Sequence, residues 1–241
     1  MRNNLPIPRS ALVVAAHPDD AEFQCGSTLA KWAAAGAIIH HLVCTDGSKG
    51  TWDLNTDRVG LVETRKSEQI AAASRLGATG QVIFLDEIDG ELRSDLVTRS
   101  AVARVIRELK PQVVLGHDPW KRYRLHPDHR HAGLLTIEGV VAARDPFFFP
   151  EHGLEAHRPQ TLLLFEADEP DHAEDAYGWG DVKTAALLEH KSQFVTTHDI
   201  TSPNDETQVR AFQNRVEEDL AIAGELSGMK SAELFKAIFD L

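Results

Sequence analysis

The stretch Ala15-Ala16-His17-Pro18-Asp19-Asp20-Ala21-Glu22 decides the fold, because a strand gives way to a helix there. The apolar, β-branched run before it predicts a buried strand over about 11–16. The Ala-rich run after it predicts a helix over about 21–35 that stops at Gly36. A histidine and two aspartates therefore lie just past the end of a strand, where open α/β sheets bind their ligands.

A second segment, His126-Pro127-Asp128-His129, has the same arrangement of ligand-type residues at positions i and i+3 around a Pro-Asp pair. We call residues 17–20 the first quartet and residues 126–129 the second quartet. Either quartet alone is better explained as a helix cap, because aspartates stabilise helix N-termini. Both together, each just after a predicted strand, favour a metal site. Histidine and carboxylate ligands suit Zn²⁺, ahead of Fe²⁺, Co²⁺ or Mn²⁺.

Strands and helices alternate along the rest of the chain. Further strands are predicted over about 37–44, 81–85, 113–115 and 161–167. Helices are predicted over about 58–76, from Ser94 to 109, from the second quartet to about 143, over 181–194, from Ser202-Pro203 onward, and over 232–239. This alternation predicts an α/β fold in which helices cover both faces of a mostly parallel sheet. Parallel strands end at one edge, so the two quartets can share one site.

Size and composition narrow the class of protein. With 241 residues and no linker or repeat, the chain is expected to form a single domain over 1–241. The net charge of −12 argues against nucleic acid or an anionic membrane as partner. Two cysteines do not make a disulfide framework, and no signal peptide or membrane-spanning run is visible. We therefore expect a cytoplasmic protein.

The two quartets offer five candidate side chains, whereas a catalytic zinc usually keeps three protein ligands. His17 and Asp20, at i and i+3, form a sensible ligand pair. Asp19 then lies beside the metal, where its carboxylate can take a proton from metal-activated water. One histidine of the second quartet completes the site, and the other can stabilise an oxyanion and protonate the leaving group. Spacing alone leaves open which histidine does which.

Taken together, these segments resemble the PIG-L/LmbE-like zinc-dependent N-acetylglucosaminyl deacetylases. The resemblance rests on the two quartets with Ala21 and Glu22. It is supported by residues 45–50, by Arg65 with Glu68, and by residues 189–193 and 232–235. It implies a Rossmann-like three-layer sandwich and removal of an acyl group, typically acetyl, from a small-molecule amino sugar or glycoconjugate. It implies the following roles: metal ligands His17, Asp20 and His129, general base Asp19, acid or oxyanion stabiliser His126, its orienting partner Asp128, and substrate contact Arg65.

Several alternatives stay open from the sequence. The enzyme could be an amidase of a larger thiol- or antibiotic-type conjugate, or the chain could be a non-catalytic sugar- or metal-binding protein. A dehydrogenase is disfavoured because no G-x-G-x-x-G follows the first strand. Arg65 could equally form a salt bridge to Glu68 or another acid. Residues 23–27 differ from those at the same place in many relatives of the family. This difference is expected to change the first helix near the metal.

Other features are assigned by environment rather than by motif. The aromatic segment 145–150 is expected first of all to pack against the body of the protein. Lining a substrate entrance and meeting a partner subunit in a homo-oligomer are its second and third expected roles. The loop at 45–53 is a candidate pocket wall. Four further histidines are expected to serve packing or surface roles, although one of them falls in a loop that could reach the pocket. They are His117, His131, His190 and, in that loop, His172.

Overall fold

The computed structural model describes all 241 residues and places every strand in one sheet. The strands are β1 (Arg2–Asn3), β2 (Ser10–Ala15), β3 (Ile38–Thr45), β4 (Val82–Glu87), β5 (Val113–His117), β6 (Thr161–Phe165), β7 (His172–Asp175) and β8 (Ala232–Phe239). The helices are α1 (Asp20–Ala34), α2 (Arg58–Arg75), α3 (Leu96–Leu109), α4 (Pro127–Arg144), α5 (Gly180–Leu187) and α6 (Glu206–Ser227). The sheet order is β1-β7-β8-β6-β5-β2-β3-β4.

The centre of the sheet is parallel, and its strands are apolar because both faces are covered. Strand β2 pairs in parallel with β3 on one side and β5 on the other. Strand β6 continues the parallel set beyond β5, and β4 does so beyond β3. The carboxyl ends of all these strands therefore meet at one edge, which is the geometry required for the two quartets to share a site.

Alternate residues of β2 enter two separate cores. Leu12 and Val14 pack in a cluster with side chains of α3 and α4. Ala11 and Val13 pack in a second cluster with side chains of α1, α2 and α5. Helices thus cover both faces of the sheet, and the predicted three-layer α/β fold with a mostly parallel sheet is confirmed.

The prediction of a final helix over 232–239 is wrong. These residues form β8, which inserts between β6 and β7 and runs antiparallel to both. Phe235 pairs with Phe165 in β6, and both side chains are fully buried. The segment is short and apolar, and such a segment is ambiguous between helix and strand until partner strands supply backbone hydrogen bonds. His172, expected in a loop, is instead the first residue of β7.

Smaller differences concern helix ends. The helix expected over 181–194 ends at Leu187, and short 3₁₀ and π turns follow over 191–198. Ser202 does not cap the helix that follows it. Asp205 does, because its side chain accepts from the backbone N–H groups of Thr207 and Gln208.

The aromatic segment 145–150 packs mainly against the body, as expected. The buried Arg107 guanidinium donates to the backbone carbonyls of Asp145, Phe148 and Phe149 and so fixes the segment. Phe149 packs against the α3–α4 core, whereas Phe147 projects into solvent. None of its side chains lines the main pocket.

Candidate active site

Polar side chains collect at the carboxyl edge of the parallel strands. The first quartet follows β2, and Asp89 lies just beyond β4. His117 is the last residue of β5, and Glu166 follows β6 directly. The second quartet opens α4, where Pro127 occupies the first turn. Each chemical group is thus held by the end of a strand or the start of a helix, which keeps its backbone in place.

His17, Asp20 and His129 lie together at the bottom of the site. His17 Nδ1 is 3.3 Å from Asp20 Oδ2, and His129 Nε2 is 3.3 Å from Asp20 Oδ1. The backbone N–H of His17 also donates to Asp20 Oδ2 at 2.7 Å. Asp20 therefore joins the two imidazoles, although the quartets lie far apart in the sequence.

The electrostatics of these groups follow from burial and mutual contact. Burial opposes ionisation of Asp20, but His129 and His117 beside it hold its pKa well below the usual value. Burial lowers the pKa of His17, yet hydrogen bonds to Asp128, Asp20 and Asp89 raise that pKa well above its usual value. A buried cationic charge is therefore strongly favoured among these carboxylates.

The donor atoms suit a divalent cation. His17, His126 and His129 can each offer an atom within 4.8 Å of the others, and so can Asp20, His117 and His129. Imidazole nitrogen with carboxylate oxygen is a donor mixture that zinc accepts. No lysine or arginine bonds to Asp20, so histidines alone face its carboxylate. Both groups contain His129, whereas His17 and Asp20 belong to different groups. The residues present fit a metal ion.

Asp19 faces the pocket from a constrained backbone. Its φ of 103° lies in the left-handed region, which is unusual for a residue other than glycine. Arg65 Nη2 donates to the Pro18 carbonyl at 2.7 Å and lies 3.3 Å from Asp19 Oδ2. Burial raises the pKa of Asp19 to about 6, against the opposing effect of Arg65.

Arg65 is almost fully buried and pairs with Asp19, while Glu68 contacts Ser192 instead. Of the two readings of Arg65, the geometry accords with an ion pair to an acid, and that acid is Asp19. Arg65 also lies along the wall of the pocket. Its contact with substrate remains a prediction.

Asp128 contacts a different histidine from the one expected. Its Oδ2 lies 3.2 Å from His17 Nε2 and accepts from the backbone N–H of Gly90 at 2.6 Å. No hydrogen bond joins it to His126. These contacts hold the pKa of Asp128 below its usual value despite burial. Asp128 is therefore placed to orient His17 across the two quartets.

His126 is exposed and projects into the pocket. Its ring lies 4.5 Å from that of His17 and 5.4 Å from that of His129, measured between centroids. Partial burial and the neighbouring imidazoles lower its pKa below the usual value. A neutral imidazole beside the pocket can donate or accept a hydrogen bond without being fixed by a protein partner.

Two further residues extend the site. Glu166 Oε2 accepts from His117 Nδ1 at 2.9 Å and lies 3.5 Å from His129 Nδ1. Contacts with His117 and His129 overcome the effect of burial and lower the pKa of Glu166 to about 2. Arg124 contacts both Glu166 and His129. Glu166 thus contacts the Nδ1 atoms of both His117 and His129 and helps to orient the two rings.

A cavity of about 1020 Å³ opens over these groups. His17, Asp19, Asp20, His126 and His129 all line it, as do residues 49–52 of the loop after β3. That loop is therefore a wall of the pocket. Exposed side chains of Trp52, Tyr123 and Leu125 stand at the rim.

Helix α1 is irregular within residues 23–27. Cys25 has non-helical dihedral angles, so the helix is kinked there. The freed backbone N–H groups of Ser27 and Thr28 donate to the Glu233 carboxylate at 3.0 and 2.7 Å. Lys183 completes the arrangement by donating to the Phe23 carbonyl and to Glu233, both at 2.7 Å. The kink shapes the side of the pocket formed by Phe23, Gln24 and Glu233.

Sequence reasoning missed His117, Asp89 and Glu166. His117 was expected to serve packing or the surface, yet it is buried against Asp20. A usable signal existed, because all three residues lie within a few residues of the end of a predicted strand of the parallel sheet. Of the other histidines, His131 bonds to Ser94, and His190 is buried against Glu22. His172 lies in β7 against Glu174, away from the pocket.

An α/β sheet that carries a histidine–aspartate cluster and a cavity of about 1020 Å³ at its carboxyl edge has the architecture of an enzyme. The chain belongs to the PIG-L family, described as GlcNAc-PI de-N-acetylase, whose model matches residues 12–140. The matched part contains both quartets. The family predicted from those quartets is therefore confirmed.

Among similar proteins, a diacetylchitobiose deacetylase of Thermococcus kodakarensis is 35% identical over 77% of this chain and 70% of that protein. A 1D-myo-inositol 2-acetamido-2-deoxy-alpha-D-glucopyranoside deacetylase of Catenulispora acidiphila is 34% identical over 60% of this chain. The match spans about half, 52%, of that relative's length.

Among solved structures, N,N'-diacetylchitobiose deacetylase from Pyrococcus horikoshii is similar over 96% of this chain and 84% of that chain. The TM-score is 0.85 at 26% sequence identity. Separately, none of the helices of this chain combines the length and apolar character needed to cross a membrane.

Proposed function

We propose that this protein is a metal-dependent N-deacetylase that removes an acetyl group from an amino sugar or its glycoconjugate. The main support for this proposal is that side chains of both quartets line one cavity. The similar deacetylases, whose names specify N-acetylated sugars, support the choice of substrate class.

His17, Asp20 and His129 would hold the metal, with His117 and Asp89 close behind them. When bound, a divalent ion supplies a Lewis acid that polarises the amide carbonyl and makes water acidic enough to attack at neutral pH. Zn²⁺ is our choice for this donor set, and Fe²⁺, Co²⁺ and Mn²⁺ remain alternatives.

Asp19 is proposed as the general base. Its carboxylate lines the pocket next to Asp20 but is paired with Arg65 rather than with an imidazole. Burial raises the pKa of Asp19 to about 6, closer to neutrality than that of an ordinary aspartate. A base whose pKa approaches the working pH both accepts a proton and gives it up readily.

His126 is proposed to stabilise the developing oxyanion and to protonate the departing amine. It is exposed to the pocket and has no protein hydrogen-bond partner that substrate would need to displace. Arg65, which holds the Asp19 carboxylate, is proposed to contact substrate where it lines the wall. Asp128 is proposed to act through His17, which it contacts directly.

The test is release of free amine by the zinc-loaded protein from N-acetylglucosamine, N,N'-diacetylchitobiose and an N-acetylglucosaminyl inositol. We expect at least one of these sugars to be deacetylated. Asp19→Asn should reduce kcat by about 10²–10⁴-fold, the range of a general base, while retaining the metal. Full activity in Asp19→Asn would reject the mechanism, and no amine release from any of the three by the wild type would reject this substrate class.

A further inference from the structure

The backbone of Asp19 has a conformation that its own sequence does not favour. Its φ and ψ angles are 103° and −28°, and no glycine is present to make them easy. Such a residue persists in this region only where its surroundings impose the conformation. The groups that bind the backbone of Asp19 therefore decide where its carboxylate points.

Gln69 is one of those groups. Its Oε1 accepts from the Asp19 backbone N–H at 2.9 Å, and its side chain is completely buried. It lies on α2 four residues after Arg65, so both side chains leave the same face of the helix. Arg65 binds the Pro18 carbonyl and the Asp19 carboxylate, while Gln69 binds the peptide N–H between them.

The direction of the Gln69 amide is determined by Glu22. A glutamine offers an acceptor at Oε1 and donors at Nε2, whereas a backbone N–H can only donate. Oε1 must therefore face Asp19, which leaves Nε2 to donate to Glu22 Oε1, at 2.8 Å. Glu22 thus keeps the acceptor of Gln69 directed at Asp19.

Glu22 is itself held from two sides. Its side chain is fully buried on α1, with Oε2 at 3.3 Å from His190 Nε2 and Oε1 at 3.6 Å from His41 Nε2. His41 belongs to β3, and His190 follows α5. Hydrogen bonds from Gln69 and His190 therefore fix this carboxylate, whereas His41 Nε2 lies too far away to bond. Neither Glu22 nor Gln69 lines the pocket.

We propose that Gln69 and Glu22 are positioning residues that hold the Asp19 backbone in its left-handed conformation and thereby aim the catalytic carboxylate. The proposal rests on the proposed function, in which Asp19 is the base. Neither residue touches substrate or the reacting atoms. Their effect on the reaction passes through the Asp19 peptide N–H alone.

The first test is Gln69→Leu, which removes the acceptor at similar volume. Because a small misplacement of a catalytic group is costly, we expect kcat to fall by about 10–100-fold. KM should change less than about twofold, and bound zinc should stay at the wild-type level, since the metal ligands are untouched. The matched control is Glu68→Gln on the preceding position of α2, whose carboxylate binds Ser192 and not the quartet. It should leave kcat unchanged.

The second test exchanges the amide of Gln69 and the carboxylate of Glu22, and asks whether the exchange restores the kcat lost in a single variant. Gln69→Glu keeps an acceptor for Asp19 but sets two carboxylates against each other, so kcat should fall. In the double variant Gln69→Glu with Glu22→Gln, the new amide at position 22 can donate to the new carboxylate at position 69. We expect it to recover at least about tenfold of the lost kcat. A folded double variant no better than Gln69→Glu alone would overturn the proposal, as would wild-type kcat in Gln69→Leu.

Amide hydrogen exchange at Asp19 tests the positioning without any substrate. The Asp19 N–H should be protected in the zinc-loaded wild type and in Glu68→Gln, and should exchange faster in Gln69→Leu. Rapid exchange in the wild type, or equal protection in Gln69→Leu, would contradict the inference. If no sugar is deacetylated while this exchange pattern is found, the proposed activity fails but the hold on Asp19 stands.

Discussion

The two quartets have similar sequences but differ in how the fold holds them. Every residue of the first quartet is buried, and its turn is bound by Arg65 at the Pro18 carbonyl and by Gln69 at the Asp19 N–H. In the second quartet only the inner half is fixed, whereas His126 is exposed and makes no capping hydrogen bond. A fixed turn suits groups that hold a cation and a base, and a free side chain suits contact with a changing substrate.

The largest effect should come from removing a proposed metal ligand from either quartet. We expect His17→Ala and His129→Ala to lose bound zinc and to lower kcat/KM by about 10³-fold or more, since metal catalysis contributes several kcal/mol. The measurements are zinc content and amine release. His131→Ala, a histidine of α4 that bonds to Ser94 instead, is the control and should keep both. Zinc retained at full affinity in His129→Ala would mean that another side chain is the ligand.

His126→Ala tests the free half of the second quartet. We expect kcat to fall by about 10²–10³-fold, the usual cost of losing an oxyanion donor, with zinc content unchanged. Steady-state kinetics alongside metal analysis separates the two effects. Loss of zinc in this variant would show that His126 is a ligand, and the contrast between fixed and free groups would fail.

Asp128→Asn tests the contact that crosses between the quartets. Because Asp128 bonds to His17, we expect zinc affinity to weaken by about 10–100-fold, as for other partners of metal ligands. Competition with a chelator measures that affinity. If Asp128 instead orients His126, as the resemblance implied, the zinc affinity will be unchanged. The acidic or basic limb of the pH profile of kcat will then shift.

The smallest effect expected is that of Gly50→Ala, in the loop beside the first quartet. An added Cβ would collide with Arg65 Nη1 and approach Gln193 Oε1 within 2.9 Å, so the buried guanidinium would have to shift. Overpacking of this kind costs about 1–3 kcal/mol of unfolding free energy. Denaturant unfolding measures it, with Gly180→Ala as control because its nearest contact is an ordinary 3.4 Å. Equal stability of the two variants would mean that Arg65 is free to move.

Much of the fold could be predicted from local pattern. Strands β2, β3 and β5 are short β-branched or apolar runs, and the helices between them end at glycine or proline signals. The strand β8 could not be identified in this way. Its hydrogen-bond partners come from β6 and β7, and only their placement makes residues 232–239 extended.

The candidate site shows the same division. The residues of both quartets are visible in the sequence because three ligand-type side chains cluster in each short turn. Single residues such as His117, Asp89 and Glu166 carry no such cluster. They enter the site only because parallel strands end side by side.

The sequence by itself determined the α/β class, the two quartets and their position after strands, since each of these depends on neighbours along the chain. The tertiary structure decided which histidine Asp128 contacts, which acid Arg65 pairs with, and how the Asp19 backbone is held. These are contacts between separate elements, and their distances depend on sheet order and helix packing. Local sequence constrains backbone conformation, but only the packed fold sets the hydrogen-bond partners of buried polar side chains.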